Sequence, residues 1–453
     1  MIYQTHVGER SQPPEMQTCR SAQHNQGVAG NIAKPSRGDN SETMSQTRAT
    51  SPIFGALRPT ESSTRRTIPL DGLWQFVTDR ADNGIEHGYG CQLPAQERVL
   101  IAVPASWNEQ LPELDHFLGP AWYERTFSPP LGFDHTTSSC FLRFGSVNYQ
   151  ATVFVNGAQA GTHEGGHLPF EIDATPHLSK TSHENRLVVR VDGRLERSHV
   201  PPGGGWGAMA PGCFPSSSFD FYPFCGIQRT VQMCVRPTDG LLGLSIKVGL
   251  QNPRGSTADS ATVTCAVRVA AGSSAGRVTA CLIDEHAQST DHGARQWIDL
   301  VQVDADGHAT ACIDIPTPRL WAPGSPSLYK LRIECFAAHD ASLSAKESPP
   351  PLDSYEQRVG LREVEVVGNE MRLNGASISL KGFGRHEDFA LVGRGDCGAV
   401  LVRDHACLQW VGANSYRTAC VPFSSNPSSL LDAPLAEPAL PCLALACLAL
   451  ARV

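Results

Sequence analysis

Short runs in which apolar and polar residues alternate, each closed by Gly, Pro or Asn, recur from Leu70 to Leu361 and constrain the fold most. Successive side chains of a strand point to opposite faces, so a period of two reads as a half-buried strand. Leu70 to Phe76, Val99 to Val103, Cys140 to Phe144, Ala151 to Val155, Arg186 to Val191 and Gln228 to Met233 all carry it. Ala151 to Val155 runs into Asn156-Gly157, a strong hairpin signal because both residues tolerate positive φ. Such strands predict a jelly-roll sandwich over 56–236. A second series, Ser245 to Val248, Ala261 to Val269, Arg277 to Ile283 and Leu328 to Cys335, predicts an immunoglobulin-like sandwich over 237–360.

Past Leu361 the period changes. Met371 to Gly375 reads as a hairpin and Ile378 to Phe383 as a strand. Apolar residues at 400, 401, 408 and 411 have the spacing of a helix laid on a sheet, and Asn414 to Arg417 reads as another strand. Strand, helix, strand begins a parallel β/α unit. A closed (β/α)8 barrel takes about 250 residues. Fewer remain here, so 361–418 is expected to hold only an incomplete start, with unpaired strand edges and an apolar helix face exposed. The overall class is therefore mainly β.

Composition narrows the function. A net charge of −8 without a basic block argues against nucleic acid as partner. The 15 cysteines include no Cys-x-x-Cys pair, so they read as free thiols of a reducing compartment. Residues 1–55, rich in Gln, Ser, Thr, Pro and Gly, read as a disordered tail without a secretory signal. The apolar stretch Leu443 to Ala451 is too short to cross a bilayer, which takes about 20 residues. The expectation is an intracellular, cytoplasmic protein with no membrane partner.

Four stretches together resemble glycoside hydrolase family 2, most of all its β-glucuronidases. They are Leu57-Arg58-Pro59 with Leu70 to Trp74; Val103 to Asn108 with Ala121 to Arg125; Val153 to Gly157 through His163 to His167 and Pro169-Phe170-Glu171, closing at Asp220-Phe221 and Gly226 to Arg229; and Gly360-Leu361-Arg362 through Asn374-Gly375 to Lys381–Asp388 and Gly412–Thr418. The resemblance covers roughly 56–418. It implies a jelly-roll sugar-binding domain, an immunoglobulin-like sandwich and a C-terminal barrel, acting on β-glucuronide-like carbohydrates with retention of configuration and no cofactor. It leaves the oligomeric state open.

Retaining hydrolysis uses two carboxyl groups about 5 Å apart. In the family both are glutamates downstream of the Asn-Ser-Tyr-Arg segment. This chain departs at Ala419, and residues 419–453 form an unrelated low-complexity tail. A reading-frame change, a mis-spliced terminus and a decayed gene all fit that departure. No catalytic residue is therefore assigned, and the chain by itself is expected to be inactive. The alternatives are a non-catalytic carbohydrate-binding protein, with Trp74, Trp107 and Trp122 as sugar-stacking candidates though core aromatics are the safer reading of all three, or a fragment needing a complementary barrel.

The resemblance also implies substrate contacts. Asp220 matches an aspartate on a jelly-roll loop that reaches the sugar; by itself it reads as a solvated loop residue. His386 and Asp388 follow the first barrel strand, where active-site residues of such barrels lie. Asn414 and Arg417 match positions beside the family nucleophile, where an arginine holds the carboxylate ionised. His163-Glu164-Gly165-Gly166-His167 spells His-Glu-x-x-His, but that zinc motif needs a helix. Two adjacent glycines cost about 1 kcal/mol each there, so no metal is assigned.

Overall fold

The computed structural model describes residues 55–203, 222–270, 272–284, 295–323, 325–338 and 350–418. It is mainly β, as the alternation predicts.

The first sandwich pairs a six-stranded sheet with a four-stranded one. In the larger sheet the order is Val99–Val103, Gly72–Thr78, Pro120–Phe127, Asn185–Asp192, Gln150–Val155 and Ala158–Glu164. In the smaller it is Phe170–Asp173, Ser138–Phe144, Val231–Pro237 and Arg66–Pro69. Every ladder in both sheets is antiparallel. The Asn156-Gly157 turn has φ of 51° and 84°, as the hairpin requires. Trp74, Phe76, Trp107, Tyr123 and Phe144 fill the core, joined by Val153, Val189 and Met233.

Trp74, Trp107 and Trp122 are fully buried. Their indole N–H groups donate to Leu70 O, Phe117 O and Asp79 Oδ2. None offers a face to a sugar; all three are core aromatics, the safer of the two readings of their sequence. The apolar bulk of an indole favours the interior wherever its single donor finds a partner.

The second sandwich sets Leu241–Gln251, Ser260–Val269 and His308–Pro316 against Arg295–Gln302, Ala275–Asp284, Tyr329–Ala337 and Asp353–Val359. Along His308–Pro316, Ala309, Ala311, Ile313 and Ile315 are buried while the residues between them are not. All ten cysteines of the described residues are unpaired.

Three short strands, Val364–Val367, Glu370–Leu373 and Ala376–Ser377, then lead into Gly382–Arg385. That last strand pairs in parallel with Ser415–Thr418, the helix Gly398–Trp410 crossing between them. The expected strand over Ile378 to Phe383 is thus displaced to begin at Gly382. Until then the chain is leaving the preceding hairpin. Pairing starts only where Asn414 fastens Lys381, accepting its N–H at 2.7 Å while donating to Ser379 O at 2.8 Å.

The helix also differs from expectation. Val411 falls beyond its end and is exposed; the buried position is His405. That ring accepts no apolar neighbour's role by accident: its Nδ1 lies 2.7 Å from Leu401 O and its edge meets the Tyr416 ring. Phe383 and Trp410 remain open to solvent, at 56% and 87%. No described helix is long and apolar enough to cross a membrane.

Candidate functional site

Gln228 and Arg229 lie between two ladders, Gly226–Ile227 and Val231–Pro237, and not inside one strand as the alternation suggests. Their backbone N–H groups donate to Ser146 O. Arg229, released from the sheet, extends toward the segment that follows the first parallel strand. Its Nη2 lies 3.2 Å from Glu387 Oε2, and its Nη1 donates to His167 O.

Glu387 is gripped from the other side by Arg385, with Nη1 3.2 Å from Oε1. The Arg385 Nε in turn lies 3.2 Å from Asp404 Oδ2 on the helix. Backbone contacts fasten the same segment to the jelly roll. Ser106 N donates to Val392 O at 2.9 Å, Arg394 N to Ser106 Oγ at 3.3 Å, and Asp396 N to Gln228 O at 2.8 Å. Gly393 passes so close that a Cβ would sit 2.8 Å from Ser106 Oγ; its φ of +57° also favours glycine.

An open cleft results, about 510 Å³ counting space continuous with solvent. Arg229, Arg385, Arg394, Glu387, Asp396 and Asp404 supply its charge, and His386 and Asp388 also line it. Asp388 Oδ1 lies 4.0 Å from Arg394 Nε. The Asp396 carboxyl, though open to solvent on its outer side, is raised above the usual range. Crowding by protein is the first cause; repulsion from Glu387 and Asp71 adds to it, against the pull of Arg229 and Arg385. Behind the cleft, burial pushes the His167 imidazole down to about 4, and the Arg394 and Arg229 charges push the same way.

Of the five residues singled out in the sequence, the fold brings His386 and Asp388 together in the cleft. Asn414 is occupied with the backbone of Ser379 and Lys381. Arg417, exposed on the neighbouring strand, reaches to within 3.6 Å of where a Gly384 Cβ would stand; neither residue lines the cleft. Asp220 lies outside the described residues. Arg229, Arg385 and Glu387 were inside recognised motifs, but nothing in the sequence says they meet.

The zinc-like motif is resolved by geometry. His163 is on a strand, its ring stacked 4.1 Å from Phe170, and Gly165 has φ of +123°. Among the described residues no group of three His, Cys, Asp or Glu side chains could hold a metal ion.

This arrangement, a jelly roll clamped to the first strand of a parallel β/α unit, has clear relatives. The glycosyl hydrolases family 2 sugar binding domain matches residues 68–237, a further family 2 domain matches 250–362, and the family 2 TIM barrel domain matches 364–433. The chain belongs to glycoside hydrolase family 2. It is 29% identical over 385 residues to the β-glucuronidase of Paenibacillus borealis, covering 83% of this chain and 59% of that protein. The structure of the Bifidobacterium dentium β-glucuronidase complexed with coumarin-3-O-glucuronide superposes with a TM-score of 0.71 at 30% identity. That match spans 83% of this chain and 61% of the other. For the Lactobacillus rhamnosus β-glucuronidase the values are 0.70 and 30%, with 83% and 58% covered. The chain thus spans about six-tenths of the length of these family 2 relatives, and family 2 accounts for both sandwiches and the partial barrel domain.

Proposed function

We propose that this chain carries the substrate-side portion of a retaining β-glucuronide hydrolase, and that these 453 residues by themselves bind such glycosides without cleaving them. His386 and Asp388 are the contacts we assign to sugar hydroxyls in the cleft, and the family resemblance alone adds Asp220 as a third. Asn414 and Arg417 frame the second strand end, where a nucleophile would be held.

One observation carries the reading. Retention needs one protonated carboxyl and one nucleophilic carboxylate facing each other about 5 Å apart. In the described cleft Glu387 has both oxygens committed to guanidinium groups, and Asp404 is tied to Arg385. An anion pinned between two cations is a poor nucleophile, because its lone pairs are already stabilised. The Asp396 carboxyl is raised above the usual range, chiefly by crowding, and Asp388 has the Arg394 guanidinium 4.0 Å away.

The test is an assay of the purified chain on a chromogenic β-glucuronide, alongside Glu387→Gln and Asp396→Asn. Turnover at the level of a protein-free control is expected from all three. Turnover by the parent chain above that control would overturn the reading, and its loss in Glu387→Gln and in Asp396→Asn would make those two acids the catalytic pair.

A further inference from the structure

A second cleft lies at the junction of the two sandwiches, where the Arg66–Pro69 and Val231–Pro237 strands run side by side and lead toward the second sandwich. It encloses about 270 Å³ counting its open side, and Arg58, Arg65, Arg66, Arg236 and Glu171 line it. Positive charge gathers here although the chain as a whole carries −8.

Not every guanidinium in it is available. Arg65 is consumed by Asp353, with Nη2 2.5 Å from Oδ2 and Nε 2.9 Å from Oδ1. Arg236 Nη1 lies 3.1 Å from Glu171 Oε2, but that carboxylate also serves Arg143 at 3.2 Å. Arg66 has only a loose partner, Glu61 at 3.7 Å, and both side chains are more than half exposed. Among the described residues no carboxylate pairs with the Arg58 side chain. Its backbone N–H is anchored by donating to Tyr355 Oη at 3.2 Å. With the Arg65–Asp353 pair set aside, the lining sets Arg58, Arg66 and Arg236 against Glu171: three positive charges against one negative.

The groups are also held in place. Arg236 stacks over the Phe141 ring at 3.7 Å, and Glu61 is fastened by the Thr67 backbone N–H. Thr60 and Thr67 add hydroxyls to the lining. Planar guanidinium forks match the oxygens of carboxylates and sulfates, and a surplus of them in a recess, with Arg236 stacked in place and Arg58 and Arg66 at the open side, is an oxyanion trap.

We propose that this junction cleft binds a small acidic ligand of about monosaccharide size through its carboxylate or sulfate group, held by Arg58, Arg66 and Arg236. The site is separate from the cleft around Glu387, and the proposal stands whether or not the hydrolase reading does. A ligand there would touch the segments that join the sandwiches.

The experiment is isothermal titration of the full chain at low salt with glucose 6-sulfate and with glucuronate, using glucose as the neutral control. Both acidic probes should bind and glucose should not, and raising the salt should weaken them. The double variant Arg58→Gln/Arg66→Gln changes two exposed side chains, so folding should survive, which its thermal transition will report. It should weaken the acidic probes by about tenfold or more. Arg254→Gln, which removes an exposed charge that lines neither cleft, should leave their affinity unchanged. If only the sulfate binds, or only the carboxylate, the trap stands and its preference is defined. Absence of binding, equal binding of glucose, no response to the double variant, or equal weakening by Arg254→Gln would each overturn the proposal, the last by making the effect one of net charge alone.

Discussion

Arg229 and Glu387, 158 positions apart in the chain, meet at 3.2 Å and tie the jelly roll to the segment after the first parallel strand. The Arg229 side chain is 5% exposed, whereas Glu387 keeps 23%. The pair therefore has one dry partner and one damp one, and the dry one depends on the other.

Glu387→Gln should accordingly destabilise the chain. Removing one member of a fully buried pair costs about 3–5 kcal/mol, and the solvent around Glu387 reduces this to about 2 kcal/mol. Urea unfolding followed by tryptophan fluorescence measures the change; a shift below about 0.5 kcal/mol, the size of an ordinary surface substitution, would show that the clamp carries no stability.

Arg65 and Asp353 join the two sandwiches under drier conditions, with side chains 6% and 0% exposed. Asp353 Oδ2 also accepts the Leu241 N–H, while Arg65 Nη2 donates to Leu241 O. Asp353→Ala strands a buried guanidinium and should cost about 3–5 kcal/mol. Arg65→Met combined with Asp353→Leu should cost clearly less than the two single changes added together, because neither charge is left alone. Calorimetric unfolding of the three variants compares them, and simple additivity would contradict the coupling.

His167 gives a pH dependence whose sign is fixed. Its folded pKa, about 4, lies below the ordinary 6.5, so between those values the unfolded chain binds more protons than the folded one. The stability that goes with the neutral ring is complete above about pH 6.5 and is lost as the pH falls toward about 4. His163 and His405, both also lowered by burial, add in the same direction. The melting temperature should therefore fall more steeply across this window in the parent chain than in His167→Gln. Parallel curves for the two would refute the assignment.

Gly382→Ala should undo the parallel pair. A Cβ at Gly382 would lie 2.0 Å from Ser415 O, and a backbone carbonyl in a ladder cannot retreat as a flexible side-chain end can. Hydrogen exchange at Ser415–Thr418 should accelerate in the variant, while exchange in the Pro120–Phe127 and Asn185–Asp192 strands stays slow. Unchanged protection at 415–418 would mean that the pairing tolerates a side chain there.

The strands were legible in the sequence wherever one face is dry. The expected strand Ala261 to Val269 is found as Ser260–Val269, with Ala261, Val263, Cys265 and Val267 buried, and Val99–Val103 begins and ends where the pattern says. The Asn156-Gly157 turn was legible for a local reason, the tolerance of positive φ. Less visible were departures set by neighbours: the late start of the Gly382–Arg385 strand and the break at Gln228 and Arg229. Both follow from hydrogen bonds to residues remote in the chain, Asn414 and Ser146.

By itself the sequence determined the class of fold, the order of its parts and the family resemblance, because alternation, turn chemistry and motifs are written in neighbouring residues. Only the tertiary structure decided which charges share a cleft. Arg229 with Glu387, and Arg58 with Arg66 and Arg236, become neighbours through the packing of separate sheets, and Coulomb and hydrogen-bond energies depend on distance in space, on which order along the chain is silent.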